Sequence, residues 1–145
     1  MRILGIDYGD ARVGLALSDP TGLLAGGIGT LHIRGMNDAV DQIAAVIAEK
    51  NVTTAVIGLP LNMDGSHGAS AEKIKAFGEK LLAACPELTL IYHDERRTTM
   101  LAAQYMSETG TFGKKRKESV DTLSAQIILQ TYLDRQRAAS SEESP

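Results

Sequence analysis

The chain is poor in the features that would take it out of the ordinary run of intracellular globular proteins. It has one cysteine, Cys85, so it can form no internal disulfide and no thiol-rich metal motif. A reducing cytoplasm is the expected compartment, and Cys85 reads as a plain buried helix residue. No apolar run approaches the roughly 18 to 20 residues that a membrane span requires. The opening Met1-Arg2-Ile3-Leu4-Gly5-Ile6 also lacks a signal peptide's apolar stretch and cleavage site. The reading is a soluble, unexported protein with no membrane partner. Tryptophan is absent and aromatics make up 4% of the chain, which leaves no aromatic motif for reading bases. His32, His67 and His93 are scattered without an HxxxH spacing, which excludes the common zinc arrangements. The net charge of −3 excludes a protein that coats nucleic acid by bulk positive charge. It leaves room for a local basic site, and Lys114-Lys115-Arg116-Lys117 supplies one.

What is present is one domain's worth of patterned sequence: 145 residues, 43% of them hydrophobic, enough to bury a core unaided. Residues 2–7 and 12–18 are short apolar stretches joined by Tyr8-Gly9-Asp10-Ala11, which predicts an antiparallel hairpin. Residues 23–33 form a third extended candidate, where Gly26, Gly27 and Gly29 predict bends or bulges. Helical spacing follows over 38–50, a buried strand over 53–59, a helix over about 70–85 and a strand over 88–92. A third helix is expected over 98–106 and a glycine-bearing basic loop over 107–117. A last helix, capped by Ser119, is expected to reach about Arg135, with an irregular tail over 138–145. A single folded domain is thus expected over residues 1–137. This order calls for an α/β fold with a mixed sheet, antiparallel in its first half and parallel in its second, covered by helices on both faces.

Three acids stand at element ends. Asp7 closes the first strand, Glu95 follows the 88–92 strand, and Asp121 is expected in the first turn of the last helix. Each alone has a plain explanation as a turn residue or a helix-dipole partner. Together they can converge if the first strand is central. Clustered carboxylates repel one another unless cations neutralise them, and hard divalent ions with oxygen ligands do so. Two Mg²⁺ or Mn²⁺ ions so held could drive in-line attack on a phosphodiester. Asp10, Asp19, Asp64 and Asp94 remain alternatives to any of the three, Asp19 and Asp94 foremost.

Gly5-Ile6-Asp7-Tyr8-Gly9, Arg12-Val13-Gly14-Leu15-Ala16 and Ser18-Asp19 open a series of motifs. Gly58-Leu59-Pro60 with Met63-Asp64-Gly65-Ser66, Asp94-Glu95-Arg96 with Thr98-Thr99, Lys117 before Val120-Asp121, and Ile128-Leu129-Gln130 continue it. In this order they resemble the YqgF family of RuvX-like proteins over about residues 2–135. The resemblance implies an RNase H-like fold of five strands and metal-binding catalytic acids at Asp7, Glu95 and Asp121. It also implies a role either in maturing the 5′ end of 16S rRNA, with the ribosome as wider partner, or in resolving Holliday junctions. Ser124 stands where the family usually has alanine.

Arg12 and Arg96 lie beside the first and second acids. They can either clamp phosphate or balance the acids as ion pairs. The basic run Lys114, Lys115, Arg116 and Lys117 is expected to follow a nucleic-acid backbone or to be a solvated loop. The stretch from Gly58 to Gly68 is a phosphate-contact candidate at a strand-to-helix passage, with His67 able to touch substrate, or an ordinary turn at Asp64-Gly65. A non-catalytic binding module and an actin-like ATPase lobe are the competing classes. The retained acids argue against the first and the chain's length against the second. Precursor rRNA is expected over branched DNA, and a monomer over a dimer. The helix stripes are narrow enough to be used up on the sheet, and a basic loop would repel its own copy.

Overall fold

A computed structural model of the chain describes residues 2–60, 64–94 and 113–143, the last with its side chains over 120–139. Five strands form one sheet in the order β3-β2-β1-β4-β5. They are β1 (Arg2–Tyr8), β2 (Arg12–Ser18), β3 (Ala25–His32), β4 (Val52–Leu59) and β5 (Thr89–Asp94), with α1 (Met36–Lys50), α2 (Ala69–Ala84) and α3 (Gly113–Glu143) packed against them. β1 pairs antiparallel with β2 and parallel with β4; β2 and β3 are antiparallel, β4 and β5 parallel. The mixed sheet expected from the sequence is therefore present, with β1 at its centre.

Strand alternation assigns the two faces. Leu4, Ile6 and Tyr8 of β1 join Ile57, Ile43, Ile74, Phe77 and Leu81 in the larger core beneath α1 and α2, and the Tyr8 ring stacks on Phe77 with centroids 4.4 Å apart. Ile3, Gly5 and Asp7 face the other way, toward α3. That helix buries Ala125, Ile128, Leu129 and Leu133 against Ala16, Val56 and Ala25. Helix α1 forms because Ala39, Val40, Ile43 and Ile47 fall on one stripe. Asp38 in its first turn accepts the Arg34 N–H at 2.8 Å, and Asn51, left-handed at φ 55°, ends it with an N–H to the Ile47 carbonyl. The bulge expected among the glycines of β3 is present: the register with β2 shifts between Leu15 and Ala16, leaving Ile28 as the extra residue.

Two expectations about the C-terminal third are corrected. Lys114 to Lys117 lie in the first turns of α3 rather than in a loop, and Ser119 lies inside that helix rather than at its cap. Lysine, arginine and glutamate are strong helix formers, so the run from Gly113 onward extends the helix where its charge had suggested a loop. The helix also continues to Glu143, through the stretch expected as irregular tail from Ala138. The helix expected over 98–106 falls outside the described residues.

No helix among the described residues is long and apolar enough to cross a membrane.

Candidate active site

Small residues decide where α3 lies. A Cβ at Gly5 would stand 2.7 Å from the Leu129 Cβ and 2.9 Å from the Ala125 carbonyl, one at Gly27 would stand 2.6 Å from the Thr122 methyl, and one at Gly14 would collide with the Asp121 carbonyl. These glycines on β1, β3 and β2 open a track along which the helix backbone sinks onto the sheet. Gly14 is directly opposite Asp7 in the β1–β2 register. The helix turn that rests on Gly14 therefore carries Asp121 to the end of β1 where Asp7 sits. This turn is not the helix's first, as expected, because α3 starts at Gly113. Tertiary packing on a glycine thus places Asp121, without help from the helix dipole.

The electrostatics of the pair are those of carboxylates forced together. Burial, and then the negative charge of Asp121, push the Asp7 carboxyl from its ordinary 3.8 up to about 7. Arg12, at the start of β2, donates from Nε to Asp121 Oδ2 at 2.7 Å. Of the two roles open to Arg12, the ion pair is present, with Asp121 rather than with Asp7, its neighbour in sequence. Among the described residues one guanidinium faces these two carboxyl groups, an oxygen-rich pairing of the kind that suits a hard cation. Among the described residues no group of three metal-ligating side chains assembles. Glu95, the third acid, and Arg96 lie outside them, as do the side chains of Lys114, Lys115, Arg116 and Lys117.

The alternative acids are accounted for elsewhere. Asp19 Oδ1 accepts from Thr21 Oγ1 at 2.8 Å and from the Leu23 and Leu24 amides at 3.0 and 3.4 Å, which builds the β2–β3 turn. The Thr21 hydrogen bond and these amides hold its carboxyl below the usual range. Asp10 pairs with Lys73 of α2 at 3.3 Å. Asp64 Oδ1 accepts from the Ser66 N–H at 2.9 Å and its hydroxyl at 2.6 Å, the ordinary turn weighed for that stretch. Asp94, opposite Leu59 in the β4–β5 register, alternates with Leu90 and Tyr92 toward α2, away from Asp7. His93 is buried on the α3 side, its pKa lowered by burial and then by the Arg135 charge. Sequence reasoning missed the glycine track. Its one signal was Gly5, Gly14 and Gly27 interrupting strands that otherwise favour β-branched and apolar residues.

The chain is similar to known proteins over nearly its whole length. The family pattern described as "RuvX: Holliday junction resolvase" matches residues 1–135. A protein of Ruminiclostridium cellulolyticum named "Putative pre-16S rRNA nuclease" is 44% identical over 136 residues, 93% of this chain and 95% of its own length. A Staphylococcus aureus protein of the same name is 42% identical over 135 residues, 92% and 95% of the two chains. Among solved structures, Thermus thermophilus RuvC in complex with Holliday junction substrate superposes with a TM-score of 0.57 at 15% identity, covering 94% of this chain and 96% of that one. The fowlpox virus resolvase bound to junction DNA gives 0.56 at 12%, covering 94% and 99%. These last two likenesses establish the RNase H-like fold. With a family pattern spanning nearly its whole length and relatives above 40% identity across it, the chain belongs to the RuvX family.

Proposed function

We propose that this chain is a cytoplasmic, divalent-metal-dependent endonuclease that hydrolyses a phosphodiester bond of precursor 16S rRNA during ribosome biogenesis. Its nuclease unit is residues 1–137, and it acts as a monomer. The observation that carries the reading is the half-buried Asp7 held beside Asp121 with, among the described residues, one guanidinium to balance the pair. The full-length relatives named for pre-16S rRNA cleavage supply the substrate.

Asp7, Asp121 and Glu95 are the proposed ligands of Mg²⁺ or Mn²⁺, two ions in all. When bound, such ions make water a nucleophile near neutral pH and stabilise the departing oxygen. Asp7, raised to about 7 without them, gives up its proton when a cation takes its place, so proton and metal compete for this carboxyl. Arg12 holds Asp121 in place through Nε. A guanidinium has five N–H donors, so the same side chain can also meet a phosphate of the scissile strand, with Arg96 in the matching role beside Glu95. Lys114, Lys115, Arg116 and Lys117 stack four cations in the first turns of α3, where the helix dipole disfavours positive charge. An approaching phosphate backbone relieves that conflict, and this is the part we assign to them.

The test is cleavage by purified protein of precursor 16S rRNA and of a four-way DNA junction, each with Mg²⁺, Mn²⁺ or chelator. Metal-dependent cutting of the RNA at a defined position supports the proposal. Paired symmetric nicks in the junction with intact RNA would replace it with the resolvase reading. Binding to either without cleavage under any metal would leave a non-catalytic module.

A further inference from the structure

β3 is a border strand of the sheet, and a border presents backbone N–H and C=O groups with no strand beside them. Soluble proteins usually guard such a border with charge, proline or a covering element. Residues 20–33 contain no Asp, Glu, Lys or Arg, in a chain that is 23% charged. Leu23, Leu24 and Ile28 are 43%, 64% and 44% exposed, three of the five large exposed apolar side chains among the described residues. By composition this border invites another strand of its own kind.

Helix side chains occupy it instead. Gln130 of α3 accepts the Ala25 N–H on Oε1 at 2.8 Å and donates from Nε2 to the Leu23 carbonyl at 3.0 Å. Gln126, one turn earlier, donates from Nε2 to the Ala25 carbonyl at 3.1 Å. At the far end of the strand, Gln42 of α1 donates from Nε2 to the His32 carbonyl at 3.0 Å. A primary amide carries the same donor and acceptor as a peptide group, so these glutamines stand in for a sixth strand. Between the two ends, the bulge at Ile28 and Gly29 at φ +129° interrupts the remaining ladder. The incoming turn is held by Asp19, so the arrangement is fixed from both sides.

We infer that the glutamine amides of α3 and α1 close the β3 border, and that the partner they exclude is a second copy of this chain. A neutral strip offers no ion pair to a charged partner, whereas an identical antiparallel strand meets it without like-charge repulsion. With a two-fold near Gly26, Leu24 of one copy falls opposite Ile28 of the other, and Gly26 and Gly27 carry no side chain to hold the backbones apart. The closed border keeps one active centre per particle, so the inference bears on how many strands are cut, but its test does not use cleavage.

The test is sedimentation velocity of the full chain over a concentration series, wild type against a Gln126→Met/Gln130→Met double variant that keeps side-chain length and removes the amides. Wild type should sediment as a monomer. The double variant, shown folded by circular dichroism, should self-associate at least about tenfold more tightly. Adding Ile28→Lys should return it to monomer. A folded double variant that stays monomeric overturns the inference, and so does a wild-type dimer that Ile28→Lys dissociates. If the double variant does not fold, Gln126→Met alone leaves both Gln130 bonds in place and carries the same test with a smaller shift. A monomer there also overturns the inference.

Discussion

Asp7 and Asp19 lie at opposite ends of the antiparallel half of the sheet, one closing β1 and the other following β2. Their surroundings run in opposite directions. Asp19 is served by a hydroxyl and two backbone amides from its own turn, which favour its charged form. Asp7 is half-buried beside a second carboxylate, which disfavours its charge. A carboxylate satisfied by its local turn stabilises the fold and has little left to offer a ligand. A carboxylate packed against another acid weakens the fold unless something cationic joins it. Asp19 therefore serves its turn, and Asp7 is the acid that we propose as a ligand.

The largest effect expected from breaking this comparison is on cleavage. Asp7→Asn should reduce metal-dependent turnover by about 10²-fold or more while leaving circular dichroism unchanged. Equal turnover in variant and wild type would remove Asp7 from the site. The same variant should move stability the other way in chelator. The folded-state pKa of Asp7 is raised, so its contribution is complete below the unfolded value of 3.8 and is lost as pH rises through about 7. Metal-free wild type should therefore have a lower urea midpoint at pH 8 than at pH 5 from this group. Asp7→Asn should flatten that slope and raise the pH 8 midpoint, by a few kcal/mol at most.

Next in size is the helix track. Gly14→Ala drives a methyl into the Asp121 carbonyl, and overpacking against backbone should cost on the order of 1 to 3 kcal/mol by denaturant titration. It should also raise the metal concentration needed for activity, because Asp121 moves with the backbone. Full stability with unchanged metal dependence would show that α3 is not seated by this contact.

Asp19→Asn should leave turnover per folded molecule untouched and lower the thermal midpoint at neutral pH. Because the Asp19 carboxyl is held below its usual range, its contribution is present above the unfolded pKa and lost as pH falls through the folded one. The difference between variant and wild type should close in acid. A turnover defect at full folding would return Asp19 to the site. The smallest expected change is a gain. The Ser124 hydroxyl is fully buried with no hydrogen-bond partner among the described residues, so Ser124→Ala should stabilise by about 1 kcal/mol, read as a higher denaturant midpoint.

Much of this was legible in the linear chain. The hairpin, the alternation of strand and helix after it, and the bulge-prone glycines of β3 depend on near neighbours, and those elements stand where periodicity put them, within a few residues. The motif order also singled out the family. The basic run was misread because local charge says little about helix when lysine and arginine are themselves good helix formers. Asp121 does stand beside Asp7, but not at the helix start that its selection assumed.

The sequence by itself determined the element order and the short list of acids, because side-chain period and turn chemistry act over a few residues; the central place of β1 was only a condition until the sheet order was known. Only the tertiary structure gave those acids their different surroundings. Asp94 was turned toward α2 by the pleat of β5, and Asp10 was paired with Lys73 of α2. Asp121 was brought beside Asp7, and Arg12 to Asp121 across 109 residues of chain, by a helix that settles where three glycines leave room for its backbone. Such contacts come from excluded volume between segments far apart in the chain, and no local pattern encodes them.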